Sequence, residues 1–181
     1  MALDDVTDRR RLESQLAHRA THDPLTELPN RALLEDRLAQ AAARLGRTGE
    51  EVAVLFCDLD DFKEVNDRFG HVVGDEVLVE VGRRIGSVLR PADTVARYGG
   101  DEFVVVCEGT GAEAAAEVAQ RITAALAEPF AGAGGGRLEA GLRVSVGVAA
   151  SDDPAVDPGD LLLRADQDMY RVKQAGDGAS S

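Results

Sequence analysis

The chain has no tryptophan, two cysteines and only 4% aromatic residues in 181 positions. Its core must rest on Leu, Val, Ala and Ile, with five Phe. Cys57 and Cys107 each sit in an apolar, strand-like run, outside any Cys-rich frame. This argues against a disulfide scaffold and reads as two buried free thiols in a reducing cytoplasm. No run of about 18 apolar residues occurs, so no membrane segment is expected in this sequence. The opening MALDDVTDRRR is charged and lacks an apolar h-region, so no secretory signal is read. Positive charge is scarce as well. Lys and Arg total 20 against 33 Asp and Glu, a net charge of −13. Such a surface repels a polyphosphate backbone and argues against a nucleic-acid partner. A small phosphorylated ligand is compatible with it, because a divalent cation bridges carboxylate to phosphate.

What is present is a globular composition. Hydrophobic residues make up 44%, enough to build one ordinary domain with a short appendage. Residues 5 to 20 read as a helix with a narrow stripe of Val6, Leu12, Leu16 and Ala20. Alone it would be marginal, which suits a pairing or linking helix. A Pro-punctuated loop, THDPLTELPN, leads to Asn30, a good N-cap for a helix from Arg31 to about Leu45, ended by Gly46 and Gly49. VAVLF at 52 to 56 is a short apolar run of the kind buried on both faces of a sheet. A short helix to Phe69 and a longer one from near Gly74, stopped by Pro91, follow. TVARY and FVVVC flank Gly99-Gly100-Asp101-Glu102, a hairpin signal resting on tight turns that need positive φ. Residues 112 to 127 predict a helix with a stripe of Ala115, Val118, Ile122 and Leu126. AGAGGG at 131 to 136 reads as a loop, residues 137 to 149 as a second hairpin, and 160 to 175 as a last helix. Two hairpins among mixed elements predict an α+β fold with a mainly antiparallel central sheet flanked by helices.

The usual nucleotide and hydrolase signatures are missing. There is no GxxxxGK[ST], no GxGxxG, no HExxH and no Ser-His-Asp order, and the only histidines are His18, His22 and His71. Chemistry would then have to come from carboxylates. Asp58, Asp60 and Asp61 follow a buried strand, and Asp101 and Glu102 sit at a hairpin tip. If the two segments are neighbours, five carboxylates converge and call for a divalent cation between them. The alternative is that Asp60 and Asp61 cap the next helix and face water. The two glycines either keep the tip low for a ligand or serve a plain tight turn.

RYGGDEFVVV (97 to 106) resembles the signature hairpin of the GGDEF family, the diguanylate cyclases. DPLTELPNR (23 to 31), DLDDFKEVNDRFGHVVGDEVL (58 to 78), RVSVGVA (143 to 149) and RADQDMYRVK (164 to 173) resemble its other blocks, in order. The resemblance implies a fold like that of nucleotidyl cyclases and polymerase palms. It implies condensation of two GTP into cyclic di-GMP with release of two pyrophosphates, across a homodimer that holds one GTP per subunit. Carried over residue by residue, Asp58, the Leu59 carbonyl, Asp101 and Glu102 would hold two Mg²⁺ or Mn²⁺ ions. Asp101 would be the base for the 3′-hydroxyl, with Glu102 acidic beside it and Lys63 stabilising phosphate charge. Asn66 and Asp75 would read guanine. His71 lies in the substrate segment, or is a structural turn histidine. Phe62, at a helix start, Gly99, Gly100 and Lys173 would meet the nucleotide and its phosphates. Arg90 and Asp93 form the family's Arg-x-x-Asp product-inhibition site, with Arg121 a secondary arginine there.

Two departures from the pattern stand out. Asp177 replaces an expected phosphate-binding arginine, and Glu27 replaces a glycine of the wide turn, at a site of positive φ. LDDVTDRRRLESQL resembles the exit of a PAS sensor. Residues 1 to 20 are therefore expected to be a signalling helix, 21 to 178 the catalytic domain, and an upstream sensor its partner. A non-catalytic GTP or cyclic di-GMP receptor and a dimerising module are the competing readings.

Overall fold

The computed structural model describes residues 2–131, 137–138 and 141–178, with side chains described over 6–131 and 141–176. The chain runs α1 (Ala2–Thr21), α2 (Arg31–Thr48), β1 (Val52–Leu59), α3 (Phe62–Phe69), α4 (His71–Ser87), β2 (Thr94–Arg97), β3 (Glu102–Glu108), α5 (Ala112–Ala127), β4 (Phe130–Ala131), β5 (Arg137–Leu138), β6 (Val144–Ser151) and α6 (Pro158–Gly178). Four strands form one antiparallel sheet in the order β2-β3-β1-β6. The α+β expectation therefore holds.

β1 is central, and VAVLFC is buried throughout. Side chains alternate across a pleated strand, so one apolar run serves two cores. Ala53, Leu55, Cys57 and Leu59 pack with Phe103, Val105 and Cys107 under α3, α4 and α5. Val52, Val54 and Phe56 pack with Val104 and Val106 under α2 and α6. Each fully buried Val, Leu or Phe contributes about 1.5–3 kcal/mol. Both cysteines are free and buried, as the sequence suggested, and burial pushes both thiols up to about 12. The α5 stripe of Ala115, Val118, Ile122 and Leu126 is the buried face of that helix.

Local chemistry sets the helix ends. Asn30 Oδ1 accepts from the Leu33 N–H at 3.1 Å, the capping expected of it. Gly49, at φ 69°, caps α2 by donating to the Leu45 carbonyl, while Gly46 stays within the helix. α4 begins at His71 and not near Gly74, because Gly70, at φ 85°, ends α3 and opens α4. Its N–H donates to the Asn66 carbonyl, and its own carbonyl accepts from the Gly74 N–H. α4 ends at Ser87, ahead of Pro91. α6 lies hard on β6 at Gly147, where a Cβ would run into the backbone of Ala165 and Met169.

The expected second hairpin over 137 to 149 is corrected. β5 pairs with Phe130–Ala131 in a separate two-stranded ribbon, and β6 pairs along its whole length with β1. The alternation of RVSVGVA marks a strand but does not name its neighbour. Most of the AGAGGG loop, residues 132–136, lies outside the described residues, as does the side chain of Asp177. No described helix is long and apolar enough to cross a membrane.

Candidate active site

The pairing of β1 with β3 puts Asp58 opposite Glu102. Leu59 then donates its N–H to the Asp101 carbonyl at 3.1 Å. One strand end therefore carries Asp58, Asp101 and Glu102, all half-buried. Burial, followed by the charge of Asp58, holds the Asp101 carboxyl above the usual range. Glu102 is raised by burial, then by Asp58, Asp101 and Asp166. Lys173, from α6, reaches across to Asp58 Oδ1 at 2.9 Å, and that hydrogen bond raises the lysine. Hard oxygen donors under mutual repulsion suit Mg²⁺ or Mn²⁺. Among the described residues no three His, Cys, Asp or Glu side chains come together closely enough to hold a metal ion by themselves. This donor set fits an ion that keeps ligands from water or phosphate.

Of the five carboxylates expected to converge, only Asp58, Asp101 and Glu102 share the strand end. After Leu59 the chain turns toward β6, where the Asp60 N–H donates to the Arg143 carbonyl and Asp60 Oδ1 accepts from the Ser145 hydroxyl at 2.8 Å. Asp61 is exposed and ion-paired with Arg143 at 2.7 Å. It occupies the N-cap of α3 at φ 56° but makes no side-chain cap hydrogen bond.

The glycine hairpin is also built differently from the sequence argument. Tyr98 and Gly99 N–H groups both donate to the Glu102 carbonyl, at 2.8 and 3.3 Å. Neither Gly99 nor Gly100 has positive φ. Their smallness matters at Gly99, where a Cβ would lie 2.8 Å from Glu102 Oε2, whereas Gly100 opens to free space. The turn is held from behind by Arg97, to which the sequence pattern assigns no role. Its Nε and Nη2 donate to the Gly100 carbonyl at 3.1 and 2.9 Å, and its Nη1 meets both Asp23 oxygens at 3.2 Å. Asp23 in turn accepts from the Thr26 N–H and hydroxyl, and is held below the usual carboxylate range despite burial. The wide turn thus grips the hairpin tip. Glu27 takes the expected positive φ, 59°. That strain costs of order 1 kcal/mol.

On the α3, α4 and α5 side of the sheet, Phe62 is buried at the start of α3, and Lys63 beside it is exposed. Asn66 lies against Gly74, where any Cβ would strike its amide oxygen. Asp75, the next residue, is exposed, as is His71 at the head of α4. The expected substrate residues therefore span the sheet end from the α3–α4 corner, over Asp58 and Asp101, to Lys173.

The expected inhibitory residues gather at the opposite end of β3. Arg90 N–H donates to Asp93 Oδ2 at 2.9 Å, and Arg90 Nη2 reaches the Thr110 hydroxyl at 3.4 Å. Asp93 Oδ1 is buried without a partner. Asp93, Arg90 and Arg121 are the charged groups that act on the buried Cys107 thiol.

Comparison with known proteins agrees with this geometry. The family described as "Diguanylate cyclase, GGDEF domain" matches residues 20–179. The chain is 43% identical over 168 residues to the diguanylate cyclase TpbB of Pseudomonas aeruginosa, covering 92% of this chain and 38% of that relative. It is 41% identical over 171 residues to the bifunctional diguanylate cyclase/cyclic di-GMP phosphodiesterase MucR of the same species, covering 94% and 24%. The chain thus spans a quarter to two-fifths of these relatives. The solved coiled coil and GGDEF domain of DgcB from Caulobacter crescentus, in complex with c-di-GMP, superposes with a TM-score of 0.87 at 30% identity, covering 97% of this chain and 92% of that one. Strand register, hairpin and sequence lead to one conclusion: the chain belongs to the GGDEF-domain diguanylate cyclase family.

Proposed function

We propose that this chain is a diguanylate cyclase domain, condensing two GTP into cyclic di-GMP with release of two pyrophosphates. The supporting observation is the β1–β3 register, which joins Asp58 to Glu102 and Leu59 to Asp101 beside Lys173. Two Mg²⁺ or Mn²⁺ ions, when bound, neutralise triphosphate charge and acidify the attacking hydroxyl. Asp58, Asp101, Glu102 and the Leu59 carbonyl are the groups that would hold them. Asp101, whose carboxyl is held above the usual range by burial and then by the charge of Asp58, accepts the 3′-hydroxyl proton. The oxygen attacks the α-phosphate of the second GTP, and the bond to pyrophosphate breaks. Lys173 exchanges Asp58 for the terminal phosphates, and Lys63 adds charge on the phosphate side. Phe62 places the first N–H groups of α3, which lack intrahelical partners, toward the same phosphates. His71 borders the nucleotide at the head of α4.

Asn66 and Asp75 read the guanine edge. A carboxylate accepts from guanine N1–H and N2–H, which adenine cannot supply. Each subunit holds one GTP over Gly99 and Gly100, so turnover needs two copies face to face. Arg90, Asp93 and Arg121 take the product as a feedback inhibitor, the arginines meeting phosphate or guanine.

Residues 1–20 form the signalling helix and 21–178 the catalytic domain. α1 leaves Val6, Leu12 and Leu16 more than half exposed, as a helix awaiting a partner does. A second copy under the control of an upstream sensor, such as a PAS domain, is that partner. The test is to incubate the protein with GTP and Mg²⁺ and resolve the nucleotides chromatographically. Cyclic di-GMP and pyrophosphate in a 1:2 ratio are expected, with turnover per chain falling on dilution. GTP binding without product would instead indicate a receptor.

A further inference from the structure

We infer that His18 and His22 form a binding site for an imidazole-preferring divalent ion, of the Zn²⁺, Ni²⁺ and Cu²⁺ class, at the joint between α1 and the domain. The two residues are four apart where α1 ends, and the His22 N–H donates to the His18 carbonyl at 2.9 Å, so the helical repeat carries through to His22. Residues at this spacing share one helix face. The rings are stacked, with centroids 3.9 Å apart and planes within 13°, so they are in contact and one must turn for both to meet the same ion. Two imidazoles four residues apart on a helix are a chelating pair, the same spacing that helical zinc sites use.

One ring nitrogen of His22 is already engaged. His22 Nδ1 is engaged by the Thr21 hydroxyl at 2.9 Å and faces the His18 carbonyl at 3.2 Å. This second contact fixes the ring's orientation and leaves Nε2 to coordinate. His18 is exposed and can turn to bring a nitrogen beside it. Imidazole selects Zn²⁺, Ni²⁺ and Cu²⁺ over Mg²⁺, which prefers oxygen, so this pair and the carboxylate site would not compete for one ion. With two protein ligands, the other coordination positions go to water.

The location gives the site a consequence. His22 bridges Pro29 across the wide turn, and the next residue, Asp23, holds Arg97 against the Gly100 carbonyl. An ion binding both imidazoles ties the last turn of α1 to the turn that supports the hairpin. The site stands independently of the cyclase reading.

Calorimetry with Zn²⁺, in excess Mg²⁺ to occupy the carboxylates, is the test. One Zn²⁺ per chain is expected, with affinity falling by about tenfold or more in His18→Ala and in His22→Ala but not in His71→Ala. The exposed His18→Ala keeps the test sound if His22→Ala loses structure. Cu²⁺ electron paramagnetic resonance should show two coordinated nitrogens in the wild type and one in His18→Ala. No Zn²⁺ binding by the wild type, or His18→Ala binding as tightly as wild type, would overturn the inference.

Discussion

The two ends of strand β3 carry opposite chemistry. Its N-terminal end crowds Asp58, Asp101 and Glu102, three like charges with Lys173 as a counter-ion. Near its C-terminal end Arg90 bonds to Asp93 and Thr110, and the charges of Arg90, Asp93 and Arg121 act on Cys107. Seven residues of strand, about 20 Å, separate them. The first end is electrostatically unfavourable, which suits it to a cation. The second is a mixed cluster led by arginine, suited to an anion. In the function proposed above, one end of the strand takes metal-bound substrate and the other, out of reach of it, takes product.

The sharpest way to break this comparison is Asp101→Asn. Turnover should fall by about 10²–10⁴-fold, measured as cyclic di-GMP formed. Stability should move the other way. Folding raises Asp101 and Glu102, so the native state binds protons more tightly than the unfolded chain does. Stability therefore declines as pH climbs from the ordinary values of 3.8 and 4.5 through the raised native ones. Asp101→Asn should melt higher than wild type at neutral pH, and the gain should vanish in acid below 3.8. At the other end, Arg90→Ala removes a charged hydrogen-bond donor. The product concentration that half-inhibits turnover should rise about 10–100-fold.

The smallest effect comes from Glu80, an acid with the opposite environment. Hydrogen bonds from Arg83 and Arg84 hold it down at about 2. Its stabilisation is present above 4.5 and is lost as pH falls toward 2. Glu80→Gln should lower stability by about 1 kcal/mol at neutral pH and by nothing in strong acid, read from urea melts. Equal pH responses for Asp101→Asn and Glu80→Gln would erase the contrast between crowded and paired carboxylates.

The parts visible in sequence were those set by local patterns. VAVLFC had to be buried on both faces, and α5 falls on 112–127 with its stripe intact. Non-local choices were hidden. RVSVGVA shows a strand, but its partner is β1, about ninety residues earlier in the chain. Asp60 and Asp61 stay open between site acids and helix caps, because spacing cannot reveal that the chain turns toward Ser145 and Arg143. Gly99 and Gly100 signalled the hairpin for a reason that does not apply, since neither adopts positive φ. Arg97 was missed although it sits two residues before the glycines, because its partner Asp23 is 74 residues away. Glu27, by contrast, was legible as a residue in a glycine's place.

The most direct measurement is the affinity for a non-hydrolysable GTP analogue, by calorimetry, with and without Mg²⁺, in wild type and Asp58→Asn. Tight binding that requires Mg²⁺, and that loses this requirement together with its affinity in Asp58→Asn, is the predicted result. Binding that ignores both the ion and the substitution would contradict a substrate site at the acidic end of the sheet.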